Sequence, residues 1–160
     1  MTKVRKKIVS ISERYHYVFH LALGLVVFGI SYDDTSKRIS LLYICLVASI
    51  IPDFDHFFYY YLYGSKTEYA KIIKQYLRSR QIRAYLSFCK SNHKSLTGLY
   101  SHNLLTPLLA FFVYSFLWNR NNIMLSAFFL SFALHFLFDM FEDFVSLGKL
   151  NPNWFLKFNR

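Results

Sequence analysis

Residues 39–63 read ISLLYICLVASIIPDFDHFFYYYLY: a largely apolar run, the polar cluster PDFDH, then an aromatic run. The stretch exceeds the ~20 residues a helix needs to cross a bilayer, yet it carries Asp53, Asp55 and His56 in its interior. Ionisable groups are costly in hydrocarbon, so they persist there where they face one another, water or an ion. Pro52 ends the apolar helix or opens the next one. Asp53 and Asp55 then stand two apart, a spacing that lets two carboxylates reach one or two ions from an irregular turn.

The same anomaly recurs along the chain. His16 and His20 stand four apart in YHYVFH, His102 lies at the edge of an apolar run, and His135 and Asp139 stand four apart in LHFLFD. An i, i+4 pair shares a helix face, so each pair can chelate an ion, or one member can ligate while the other orients it. Taken singly, a histidine can be an interfacial residue bonded to a carbonyl. The aspartates of PDFDH can cap a helix start, and His135 with Asp139 can form a structural hydrogen bond. Together they read as one metal site of His16, His20, Asp53, Asp55, His56, His102, His135 and Asp139. Carboxylate with imidazole is the ligand set of Zn first, with Mn or Fe as alternatives, rather than of Ca or Mg. His93 falls in a polar connection and reads as solvated.

Composition sets the class. The chain of 160 residues is 54% hydrophobic and 21% aromatic, and its mean hydropathy of +0.24 is high for a soluble domain of ordinary composition. Four stretches approach spanning length: Tyr17–Tyr32, Ile39–Tyr63, Leu99–Trp118 and Ile123–Phe141. The first is short and needs the residues before it. The expected architecture is all-α: a single membrane-embedded domain over residues 1–160, about four transmembrane helices in a bundle, and a basic amphipathic helix at the cytoplasmic face. The basic start invites comparison with a signal peptide. Glu13, Arg14, His16 and His20 interrupt its apolar part, however, so a retained helix is expected.

Net charge is +10, and its distribution argues for a membrane rather than for nucleic acid. With four spans, the N-terminus, the 64–95 connection and the tail fall on one side and hold 16 of the 19 Lys and Arg residues. Only Lys37, Arg38 and Arg120 fall opposite. This is the positive-inside bias, and it places both termini in the cytoplasm of an inner-membrane protein. In the 64–95 connection, Tyr69, Ile72, Ile73, Tyr76 and Leu77 form one apolar face. Ile82, Tyr85, Leu86 and Cys89 form another, with a slip of phase between them. Either one helix bends near residues 78–81 or two short helices meet there. The basic remainder suits an anionic leaflet, or a solvated helix packed on the bundle. Cys45 and Cys89 give no disulfide framework and read as packing residues.

The chain resembles a known family at these residues: the small inner-membrane proteins described as membrane-bound metal-dependent hydrolases, which include a LexA-regulated bacterial member. That family has an early His ahead of an apolar helix with Gly, here His16 or His20 with Gly24. Its Pro-Asp-x-Asp-His motif matches Pro52, Asp53, Asp55 and His56, and its late His-x-x-x-Asp matches His135 and Asp139. A segment with two histidines five apart departs, since YSHNLL here supplies His102 alone. A looser likeness to zinc-dependent phospholipases C implies a lipid phosphoester substrate. The resemblance implies a metal-dependent hydrolase in which activated water attacks a phosphoester at the cytoplasmic face. Asp53, Asp55, His102 and His135 are then the catalytic candidates, and membrane lipid, including a phosphate-bearing head group, the partner. A non-catalytic metal-binding or transport protein would use the same ligands, but a transporter should carry polar residues at mid-membrane in both halves. Specific nucleic-acid binding is not expected.

Topology is directly testable. Reporter fusions after Lys94 and after Arg120 should report opposite faces of the membrane, the first cytoplasmic. A periplasmic signal from the Lys94 fusion would overturn the cytoplasmic placement of the termini and of the 64–95 connection.

Overall fold

The computed structural model describes residues 3–32, 37–92 and 98–155; His93 and Lys94 lie outside them, as do residues 156–160. Helix α1 (Lys3–Ser31) starts in the basic N-terminus and breaks its helical geometry at Tyr15, with φ −115° and ψ 22°. Helix α2 (Arg38–Ala48) continues through a 3₁₀ turn (Ile51–Asp53), the short α3 (Phe54–Phe58) and a π-helical turn (Tyr59–Tyr63). Then come α4 (Glu68–Arg78), α5 (Ile82–Asn92), α6 (Leu105–Asn119), α7 (Ile123–Leu147) and a last 3₁₀ turn, Pro152–Trp154. Among the described residues there is no strand.

Helix α7 is the pillar against which α1, α2 and α6 pack. Its inner face is built from small residues, with Ser126, Ala127, Ser131 and Ala133 all fully buried. Small side chains let helix backbones approach closely where no hydrophobic gain separates protein from lipid. Asn122 caps its start by accepting from Leu125 N at 3.3 Å, and Gly148 closes its end in the left-handed region at φ 75°. Arg5 crosses from α1 to finish that end, donating to the Val145 carbonyl at 2.5 Å and the Ser146 carbonyl at 3.2 Å. These are carbonyls that a helix terminus leaves without intrahelical donors. Helices α1 and α7 therefore run antiparallel, and the N-terminal half of one lies beside the C-terminal half of the other.

The outer faces are apolar. Ile39 is 85% exposed and Phe112 72%, and Leu25, Ile30, Tyr43, Leu108, Phe116 and Phe141 are exposed as well. Two helices are long and apolar enough to cross a membrane by themselves, Arg38–Tyr63 with 26 residues and Ile123–Leu147 with 25. At ~1.5 Å per residue the latter is about 37 Å long, more than the ~30 Å hydrocarbon core. Of the other two expected spans, α1 extends well ahead of its sequence run, and α6 falls short of its own. Helix α6 has 15 residues and starts only at Leu105, because residues 99–104 form an irregular segment that carries His102. The apolar part of α1 follows its kink.

The described residues of the 64–95 connection form two helices rather than one bent helix. The break falls at residues 79–81, where Arg80 takes a positive φ of 55°. Thr67 caps α4, its hydroxyl accepting from Ala70 N at 3.3 Å, with Glu68 in the first turn and Arg78 in the last. The apolar faces pack on protein: Ile73 is fully buried, and Tyr69, Leu77, Tyr85 and Phe88 gather with it against Tyr59, Tyr60 and Leu99. Ile82 and Leu86 stay exposed.

Gly24 marks a tight helix crossing. A Cβ there would stand 2.9 Å from the Cys45 carbonyl oxygen and 3.0 Å from Ser49 Oγ, whereas at Gly29 it would meet nothing within 4 Å. Gly24→Ala should force α1 from α2 and lower stability by about 1–3 kcal/mol. Gly29→Ala should leave it unchanged or raise it by roughly 0.5–1 kcal/mol. Thermal unfolding of the two variants in detergent checks the contrast, and equal midpoints would contradict the close approach.

Candidate metal centre

Three local devices bring the polar residues together. The kink at Tyr15 stands just ahead of His16 and His20 on α1. Pro52 breaks the second long helix and frees a carbonyl: Ser49 O has no donor at Pro52, which lacks an N–H, and Asp53 N instead reaches Ile50 O at 3.0 Å. That carbonyl lies 2.8 Å from His135 Nδ1 on α7. A carbonyl can only accept, so Nδ1 carries the proton and the other ring nitrogen, Nε2, is left with its lone pair facing the site. The third device is the irregular segment before α6, which presents His102.

Asp139 stands at the centre and is buried. Its Oδ1 lies 3.2 Å from His20 Nε2 and 3.9 Å from His16 Nε2. Its Oδ2 lies 3.1 Å from His135 Nε2 and 3.4 Å from His102 Nε2. Asp53 Oδ1 lies 3.7 Å from His135 Nε2. Two sets of donor atoms result, each within 4.8 Å of one another: His16, His20 and Asp139, and Asp53, His102 and His135.

The donor set fits a metal by a direct test. Ligands ~2.0–2.2 Å from a tetrahedral ion stand roughly 3.3 Å apart, close to the separations just given. Their directions are wrong for hydrogen bonds, however: His135 Nε2 and Asp139 Oδ1 are buried and have no hydrogen-bond partner despite these short distances. Asp53 Oδ2 is in the same state. The Nε2 atoms of His16 and His20 face each other at 3.1 Å, an arrangement that needs a proton or a cation between them. Buried polar atoms aimed past one another are expensive unless something is shared between them.

Not every predicted ligand joins these sets. Asp55 is engaged elsewhere, its Oδ2 accepting from Ser101 N at 2.9 Å and Ser101 Oγ at 2.7 Å, and its Oδ1 from the Tyr63 hydroxyl. Ser101 Oγ in turn lies 3.0 Å from His102 Nδ1. The structure thus places Asp55 behind His102, in a chain that orients the ring. His56 stands beside the site, its ring 5.2 Å from that of His102, with Nδ1 buried and without a hydrogen-bond partner. It belongs to neither set. His93 lies outside the described residues. Cys89 packs in the aromatic cluster, where burial raises its thiol pKa and pushes the Tyr85 hydroxyl up to about 12. Both stay protonated and neither resembles a ligand.

Sequence spacing missed several residues. Glu142, one turn past Asp139, is 1% exposed and places Oε2 3.4 Å from His16 Nδ1. Trp154, 1% exposed, donates its indole N–H to Asp143 Oδ2 at 2.8 Å and lays its ring 5.8 Å from that of His102. Asn153 Oδ1 accepts from Gly98 N at 2.5 Å, and Leu104 N donates to Trp154 O at 3.0 Å. The segment after α7 therefore folds back and braces the loop that carries His102. The i, i+3 step from Asp139 to Glu142 was a visible signal; the return of NPNW was not.

The centre opens to a cavity of about 660 Å³. It is lined by Asp53, His102, Asp139, Glu142 and Asp143, by the rings of Phe57, Tyr60, Tyr61 and Tyr69, and by Glu13 and the exposed Arg14. Arg14 is the one Lys or Arg among the described lining residues.

Apolar outer faces around a buried histidine–carboxylate cluster define a helical membrane protein with a polar site within its bundle, level with the middle of α1 and of α7. The chain belongs to the YdjM inner membrane protein family, whose model matches residues 16–146. That span begins at His16 and contains every residue of the two donor sets; the family's description gives a location and names no reaction. No curated protein and no solved structure matches the sequence.

Trp154→Phe removes the indole donor but keeps a ring against His102. It should lower stability by about 1–2 kcal/mol, while Trp118→Phe, at a 43% exposed position, should have little effect. Thermal unfolding in detergent distinguishes them, and equal loss in both would remove the bracing role.

Proposed function

We propose that this protein is a membrane-bound metal-dependent hydrolase acting on a phosphoester, such as a lipid head group, at the cytoplasmic face of the inner membrane. The observation that carries this reading is the cavity that joins the histidine–carboxylate cluster to an aromatic wall. Such a shape suits an amphiphile whose polar end meets the donors while its apolar part lies along Phe57, Tyr60 and Tyr61. The chain then spans four times, with α1 and α6 completing the two longer helices, and both termini are cytoplasmic by the charge bias. Exposed Ile82, Leu86 and the basic residues of α4 and α5 face the anionic leaflet.

His16, His20, Asp53, His102, His135 and Asp139 would hold one or two divalent ions, Zn first and Mn or Fe next. When bound, the metal supplies Lewis acidity, which lowers the pKa of water and polarises a phosphoryl oxygen. The chain's own residues do the rest. The exposed Arg14 of the cavity lining binds the phosphate by a charge-assisted hydrogen bond. Ser49 O, Glu142 and the Asp55–Ser101 pair hold His135, His16 and His102 in their ring orientations. His56, outside both donor sets and with Nδ1 uncommitted, takes up or releases the proton at that atom. Leu99 and the α4–α5 pair wall the site from bulk water.

Purified protein in anionic vesicles should release a soluble head group or phosphate, stop with chelator, and resume on adding Zn or Mn. His56→Ala should cut turnover by roughly 10²–10⁴-fold while leaving metal content unchanged. Arg14→Gln should chiefly raise KM. Metal retained without turnover on phosphoester, peptide or amide substrates would leave a binding protein and end the hydrolase reading.

A further inference from the structure

We infer that the centre holds two divalent ions at once, bridged by the Asp139 carboxylate. The inference rests on the metal reading above but not on hydrolysis. Asp139 divides its oxygens, Oδ1 toward His20 and His16 and Oδ2 toward His135 and His102. A carboxylate that served one ion would turn a single oxygen, or both, toward one set of nitrogens.

Ring geometry separates one ion from two. The His20 and His135 rings are stacked 3.8 Å apart with 18° between their planes. Both direct Nε2 to the same carboxylate, at 3.2 Å and 3.1 Å to its two different oxygens. Their lone pairs therefore run side by side. Two imidazoles on one tetrahedral ion would instead converge at about 109°. Ions placed in line with parallel rings would be separated by about the ring spacing, within the ~3.5–4 Å typical of two-metal sites.

Charge points the same way. Glu13, Asp53, Asp55, Asp139, Glu142 and Asp143 gather around the cavity and its donors, and Arg14 is the one Lys or Arg among the described lining residues. One divalent ion compensates two of the six carboxylates. Two compensate four, and Arg14, next to Glu13 in the chain, offsets a fifth. Uncompensated charges at such burial are costly, so the acid count suits the larger cation load. The division of labour is then definite: His16 and His20 serve the first ion, Asp53, His102 and His135 the second, and Asp139 both.

The test is stoichiometry and magnetic coupling on the full chain in detergent, loaded with Mn²⁺ and freed of excess. Two Mn per chain are expected, with the multiline electron paramagnetic resonance spectrum of an exchange-coupled pair. His16→Ala/His20→Ala and His102→Ala/His135→Ala should each fall to one Mn per chain with an isolated six-line spectrum. Asp139→Asn should lose the coupling. Coupling in the unaltered protein needs no variant to fold, and thermal unfolding shows which variants do. One Mn per chain at saturation, or two without coupling, would overturn the bridged pair and leave a single-ion hydrolase standing. No Mn or Zn bound at all would overturn this inference together with the metal reading. A coupled pair without turnover supports it and removes only the hydrolase.

Discussion

One buried carboxylate organises this protein. Asp139 on α7 meets histidine nitrogens from α1, from the segment before α6 and from its own helix, all within 3.9 Å. A charge at that depth is tolerated only where opposite or coordinating groups surround it. Helices α1 and α7 and the segment before α6 must therefore come into one register at this level, whatever the lipid-facing surfaces permit. The Arg5 contacts to the last carbonyls of α7 and the tight crossing at Gly24 hold that register from the two sides of the site.

The site is built where the helices are interrupted. Regular helix satisfies its own backbone and has little left to offer a neighbour. The break at Pro52 releases the Ser49 carbonyl for His135. The π-helical turn Tyr59–Tyr63 brings the Tyr63 hydroxyl to Asp55. The irregular 99–104 segment gives Ser101 its double contact with the same carboxylate. Each irregularity shortens or bends an apolar element and orients a ring in return. The short α6 and the kinked α1 are the same trade seen from the membrane side.

Several ligand candidates acquire different duties from their neighbours. Asp53 and Asp55 are equivalent in the sequence, two apart in one turn. In three dimensions Asp53 keeps Oδ2 free of hydrogen bonds and turns Oδ1 toward His135, while both oxygens of Asp55 are occupied by Ser101 and Tyr63. Likewise His56 shares its motif with both aspartates yet faces the cavity beside the donor sets. The C-terminal turn adds Trp154 and Asn153, which hold Asp143 and the backbone at Gly98.

The sequence by itself determined the helical class, the apolar surfaces and the inner-membrane setting, because hydropathy and residue period are properties of consecutive side chains. It also put His16 with His20, and His135 with Asp139, on common faces, since i, i+4 spacing is a local consequence of helix geometry. The phase slip after Leu77 left two arrangements of the connection open, and the positive φ of Arg80 chose two helices. Only the tertiary structure decided how the polar residues divide into two donor sets, which carboxylate stands between them, and which one is taken up by Ser101 and Tyr63. Those outcomes depend on backbone carbonyls and amides, and on a C-terminal turn folded back across the chain. A freed carbonyl has no side-chain signature, and long-range contacts leave no spacing to read.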